Sequence, residues 1–158
     1  MQTLITSIEK RIMAQHRSSA ESKRLETIPG IGIVGATAIA ATVTDPKAFR
    51  SGRDFAAWIG LTPQDHSTAG KTRLGKITRA GDEDLRRLLV IGATAVIQQA
   101  RRGRGHHSRW LLALIQRKPA KLAAVALANK VARIAWKLMA TGESYDATRM
   151  NAAAAVAA

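Results

Sequence analysis

Two adjacent hydroxyl residues, Ser67 and Thr68, stand in the stretch from Thr62 to Gly81, among Lys71, Arg73, Lys76 and Arg79 and the glycines Gly70 and Gly75. A hydroxyl oxygen can attack phosphorus, cationic side chains can hold charge on phosphoryl oxygens, and glycine lets backbone and substrate approach closely. By residue type this loop is built to meet a phosphate. A serine in a glycine-rich loop is nevertheless more commonly a capping hydroxyl, so residue types alone leave nucleophile and turn-former both open.

The charge around the loop narrows the partner. The chain carries 25 Lys and Arg against 11 Asp and Glu, a formal net charge of +14. Between Lys71 and Lys137 sixteen basic residues face only Asp82, Glu83 and Asp84. Solubility alone poorly explains a single-sign field so concentrated, and a polyanion is the natural ligand. Membrane-surface binding is disfavoured because no helix pairs a basic face with a broad aromatic one.

Length and composition bound the rest. With 158 residues, 46% of them hydrophobic, one compact core is expected and two full domains are not. No uncharged apolar run is long enough to span a bilayer, and the first ten residues lack the pattern of a signal peptide. There is no cysteine, hence no disulfide or thiolate metal site. A cytoplasmic, nucleoid-associated location is the expectation.

The elements that must position the loop read as helices. Met1, Leu4, Ile5, Ile8 and Ile12 form one stripe of a coiled-coil-like helix over 1–24, whose polar end from His16 to Arg24 either extends it or acts as a linker. Residues 25–43 place the turn Pro29-Gly30-Ile31-Gly32 between two helical stretches, the pattern of a helix-hairpin-helix. There Gly30, Gly32, Gly35 and the next helix's first amides would offer N–H groups and a dipole end to phosphate, unless the turn is only a packed corner. A short helix then presents Phe55, Trp58 and Ile59, read as core rather than as base-stacking residues.

After the loop, a helix over 82–102 carries Leu85, Leu88, Leu89, Gly92 and Val96 on one stripe, with Arg86 and Arg87 beside it. Three consecutive acids at its start, Asp82 to Asp84, point in different directions and are read as capping rather than as a metal cluster. His106 and His107 lie in a basic connection with no acid or cysteine near them in sequence, and no metal site is expected within the chain. A last helix over 120–141 aligns Lys130, Arg133 and Lys137 at spacings of three and four as one basic face, which with Arg86 and Arg87 is expected to contact nucleic acid. Its other faces, Leu122 among them, are expected to be core. No strand-period segment stands out. The expected fold is all-α, a compact domain over 25–141 containing the helix-hairpin-helix, with a disordered tail over 142–158.

Several separated motifs then agree in order: Ile28-Pro-Gly-Ile-Gly32, Trp58-Ile-Gly-Leu-Thr-Pro63, Ser67-Thr-Ala-Gly-Lys71, Leu74-Gly-Lys-Ile-Thr-Arg-Ala-Gly-Asp82, Leu85-Arg-Arg-Leu-Leu89 and Ala128-Asn-Lys-Val-Ala-Arg-Ile-Ala-Trp136. Together they resemble the C-terminal transposase domain of the IS-one-ten and IS-eleven-eleven insertion-sequence family, from about Leu25 to Met139. The resemblance implies a DNA recombinase guided by a structured RNA. Its N-terminal RuvC-like domain carries four acids and binds magnesium, and its C-terminal domain supplies a serine that forms a covalent link to DNA. A coiled coil joining the two implies a homo-oligomer.

Carried onto this chain, the resemblance makes Ser67 the nucleophile with Thr68 the alternative, since a primary alcohol attacks a hindered phosphorus more readily than a secondary one. Lys71, Arg73 and Lys76 would stabilise phosphoryl charge, and either His66 or acids from the RuvC-like domain would act as base. DNA and a guide RNA are the implied partners. Magnesium is implied only with the RuvC-like domain, which these residues do not include; the chain is expected to be inactive by itself, a truncated transposase, an excised domain or a remnant. Ala69 stands where many members have glycine. The alternative function is a non-catalytic DNA- or RNA-binding module.

Overall fold

The computed structural model describes residues 1–149. The expected disordered tail falls in part on 150–158, outside the described residues.

The first helix, α1 (Gln2–Ser18), does not run on through the polar segment. Ser19 leaves the helix with extended backbone and its hydroxyl accepts from the Ser22 amide, which caps α2 (Ala20–Glu26). The corner is held by His16, whose Nδ1 lies 2.8 Å from Ser22 Oγ and whose Nε2 lies 2.9 Å from Glu26 Oε2. The turn over 27–32 leads into α3 (Ile33–Thr42), and Leu25, Ile28 and Ile31 are buried around it.

A 3-10 turn, Pro46–Ala48, and α4 (Gly52–Ile59) follow, with Ser51 capping the helix and Gly60 ending it in the left-handed conformation. Phe55 is fully buried; Trp58 remains partly exposed and packs its ring against Phe49 and Phe55.

The body is completed by α5 (Glu83–Arg101), α6 (Arg109–Arg117) and α7 (Ala120–Thr141). Helix α7 is the central element, packed along α5 and touched by α2, α4 and α6. Its buried face is largely alanine, with Ala123, Ala124, Ala128, Ala132 and Ala135 beside Leu127, Val131 and Leu138. Small side chains let neighbouring helices approach closely; Leu122, expected in the core, lies off this face and is exposed. After α7, Gly142 caps the helix in the left-handed region and Tyr145 returns to pack against the core.

The fold is mainly α, as the sequence implies, with one addition. The basic loop forms an antiparallel ribbon of β1 (Pro63–Asp65) and β2 (Leu74–Ile77), pairing Pro63 with Ile77 and Asp65 with Leu74 across an irregularity. It carries no apolar alternation because neither face is buried: from Pro63 to Lys76 every residue is exposed. Among the described residues no helix is long and apolar enough to cross a membrane.

Candidate nucleic-acid interface

The ribbon is rooted firmly in the helical body. Where its two arms leave, Arg79 donates to Gly60 O at 3.2 Å and Thr78 to Thr62 O at 3.0 Å. A Cβ at Gly60 would fall 2.1 Å from Ala80 O and one at Gly81 1.6 Å from Trp58 O, so both positions demand glycine through close approach as well as positive φ. Arg86, from the first turns of α5, closes the stem by donating through Nη1 to Ile59 O at 2.9 Å and Ala80 O at 3.2 Å. Asn129 of α7 adds a bond to Leu61 O at 3.1 Å.

Beyond the stem the arms pair to the tip. The His66 amide donates to Arg73 O at 2.9 Å, and the Lys71 amide to Thr68 O at 3.0 Å, closing a two-residue turn of Ala69 and Gly70. Both turn residues have positive φ, +46° and +82°, as the hairpin turn that matches strand twist requires.

Ser67 sits two residues before this turn. Its amide donates to Asp65 Oδ1 at 2.8 Å and its Oγ accepts from the Arg73 amide at 3.2 Å. Hydrogen bonding from Ser67, first its side chain and then its amide, holds the Asp65 carboxyl below the ordinary carboxylate range. Asp65 is therefore the acid beside the hydroxyl, a neighbour that sequence reasoning passed over although an acid two residues before a serine signals such a turn. His66, one of the two candidates for the base, lays its ring against Gly75 across the ribbon. Thr68 is exposed at the turn.

Lys71, Arg73, Lys76 and Arg79 are all exposed on the ribbon, and among the described residues none forms an ion pair. Four cations without an ion-pair partner among the described residues thus share the ribbon that carries Ser67.

The other expected contacts are distributed differently. Gly30 faces inward: a Cβ on Gly92 of α5 would lie 1.7 Å from Gly30 O, so here the turn is a backbone-to-backbone packing corner. Gly32, which starts α3, has open space around its Cα, whereas a Cβ at Gly35 would meet Ile31. Arg86 is committed to the stem and Arg87 pairs with Glu83 and Asp84, while Asp82 caps α5 through the Leu85 amide. Lys130, Arg133 and Lys137 do not present one open face. Lys130 lies half-buried over the Trp110 ring at 4.1 Å, Arg133 is half-buried where α4 begins beside it, and only Lys137 is fully exposed.

Residues 22–108 match the model of the Transposase IS116/IS110/IS902 family, more than half of the chain. The chain belongs to this transposase family. A putative transposase of Sinorhizobium fredii is 62% identical over 142 residues, covering 89% of this chain and 37% of that protein. A probable family 20 transposase of Pseudomonas aeruginosa is 47% identical, over 92% of this chain and 44% of its own length. The transposase for insertion sequence element IS1111A of Coxiella burnetii is 37% identical, over 89% and 39% respectively. The chain thus spans about two fifths of the length of these curated transposases. Its ribbon, stem clamp and the turn over 27–32 all lie inside the family match.

Proposed function

We propose that this transposase-family domain grips DNA, together with a structured guide RNA, through its projecting basic ribbon and supplies Ser67 as the nucleophile for strand cleavage and rejoining. The observation that carries the reading is Ser67 near the ribbon tip, its amide held by Asp65 and its hydroxyl by the Arg73 amide, on a ribbon whose Lys71, Arg73, Lys76 and Arg79 form no ion pair among the described residues.

In this reading Ser67 Oγ bonds to phosphorus as the P–O3′ bond breaks. The serine proton passes to a base and the departing 3′-oxygen takes up a proton. Lys71, Arg73 and Lys76 face the phosphoryl oxygens, where charge is greatest in the transition state. The phosphoserine bond conserves the phosphodiester linkage, so a strand can be resealed without a separate energy source. Asp65 orients the hydroxyl; its lowered basicity suits it poorly to remove the proton, so the base comes from another group.

Magnesium is assigned no step on this chain. Among the described residues no three ligating side chains cluster, and Asp82, Glu83 and Asp84 are engaged in capping and in pairing with Arg87. A RuvC-like domain bearing acids would supply the metal chemistry. The turn over 27–32 acts as a helix-hairpin-helix that offers phosphate the open side at Gly32 and the start of α3. Helix α1 pairs with a second copy, because Leu4, Ile5 and Ile8 stand exposed along one stripe.

A second reading, a binding module without chemistry, draws on the Ser67 Oγ to Arg73 contact, which would also serve simply to close a turn. The test supplies an N-terminal RuvC-like domain in trans with guide RNA and duplex DNA, and searches for a denaturant-resistant protein–DNA adduct. An adduct that survives Thr68→Ala and disappears in Ser67→Ala supports the nucleophile. No adduct, or one indifferent to Ser67→Ala, leaves the binding module. Binding that barely responds to salt removes both readings.

A further inference from the structure

A second feature lies away from the ribbon, where the 103–108 connection, α6 and α7 meet the turn over 27–32. They enclose a cavity of about 120 Å³. Its walls are apolar, with Val96, Leu127, Val131 and Ile134 among them, while His106, His107, Lys130 and Tyr145 supply the polar groups. Among the described residues that line it, none is acidic.

The volume is several times the ~30 Å³ share of one water and well below the roughly 300 Å³ at which sites for drug-sized ligands begin. It suits one ring system. The ammonium of Lys130 lies over the Trp110 ring at 4.1 Å, which fixes a cation and an indole together at the cavity. Burial, with Arg133 adding to it, lowers the Lys130 pKa, as expected of an ammonium drawn into an apolar wall.

One side of this cavity is strongly cationic, while Asp146, between the lining residues Tyr145 and Ala147, is an acid beside the opposite wall. Arg101, Arg102, Arg104 and Arg109 are exposed, and among the described residues none of them forms an ion pair. A ligand that satisfies both parts must be planar and heteroaromatic where it enters and anionic where it stays outside. A base on a phosphodiester backbone has that construction. We infer that this cavity receives a single unpaired nucleobase, turned out of its strand, while the arginines of 101–109 hold the flanking phosphates.

The inference rests on the nucleic-acid reading of the domain, and the test separates the two. The full chain is titrated with three duplexes of one sequence: fully paired, with one unpaired uracil or thymine, and with an abasic unit at that position, each made as DNA and as RNA. The base-bearing bulge should bind tighter than the abasic one by roughly fivefold or more, in whichever nucleic acid supplies the base. Lys130→Gln should abolish that preference while the abasic duplex keeps its affinity for the arginines.

Position is read independently of any variant. With 5-iodouracil as the unpaired base, irradiation should attach it to Trp110, Tyr145 or His106. Equal affinity for base-bearing and abasic probes, or attachment only elsewhere, overturns the cavity proposal and leaves the nucleic-acid reading standing. Failure of every probe to bind at low salt overturns both.

Discussion

Arg86 Nη1 donates to the main-chain carbonyl of Ile59 at 2.9 Å, so that a side chain of α5 holds the last turn of α4. The same nitrogen reaches Ala80 O at 3.2 Å, and between those two carbonyls run both arms of the ribbon stem. Without it the partly enclosed Ile59 carbonyl and the exposed Ala80 carbonyl lose a charged donor, a loss of about 2 kcal/mol. Arg86→Ala should therefore lower the melting temperature by about 4–8 °C. Amide exchange should accelerate most at Thr78 and Arg79, whose hydrogen bonds close the stem. Uniform acceleration across all helices would mean that Arg86 serves the body and not the ribbon.

The sequence shows what Arg86 is but not what it does. An arginine beside a basic loop reads as a phosphate ligand, and only the path of the chain reveals two carbonyls within its reach. Helices with strong periodicity, caps and punctuation, such as α5 with Asp82 at its start, were legible throughout. The ribbon was not. Strands are recognised by a buried alternating face, and this one buries nothing; its turn is Ala69-Gly70 rather than the Asn-Gly that announces such hairpins. The corner at His16 escaped for a related reason, since a buried histidine in a polar run is identified only by partners six and ten residues away.

Gly92 illustrates packing that overrules propensity. In the middle of a helix, glycine to alanine should gain roughly 0.5–1 kcal/mol. Here the added Cβ would stand 1.7 Å from Gly30 O, a main-chain atom that cannot swing aside. Separating α5 from the turn over 27–32 should cost roughly 1–3 kcal/mol or more, which exceeds the propensity gain. Gly92→Ala should thus lower the denaturation midpoint in urea. An unchanged or raised midpoint would show that the two backbones part easily.

Ala69 presents the opposite case. Its φ of +46° is a conformation that an L-residue with a Cβ adopts at a cost of roughly 1–2 kcal/mol, which glycine avoids. The greater freedom of glycine in the unfolded chain offsets part of this gain. Ala69→Gly should still strengthen the ribbon by about 0.5–1 kcal/mol. Slower exchange of the Lys71 amide and stronger cross-strand contacts between Thr68 and Lys71 would report it. Weaker contacts would mean that the turn differs from the one described.

The pH dependence of the ribbon follows from Asp65. Hydrogen bonds from Ser67 favour its carboxylate, so its pKa is lower folded than unfolded. The stabilisation is then complete above the unfolded value, about 3.9 for an aspartate, and disappears as pH falls through the folded value. The Asp65 carboxyl and the Ser67 amide should titrate together in NMR, with a shared midpoint below that of ordinary aspartates. Asp65→Asn should remove that step from the Ser67 amide. Because Asp65 stays ionised throughout the neutral range, any loss of the proposed Ser67 cleavage between about pH 5 and 7, measured with the RuvC-like domain in trans, must come from another group. Asp65→Asn should leave the position of that acid limb unchanged while lowering the rate. A limb that moves or vanishes in the variant would make Asp65 itself the base for Ser67.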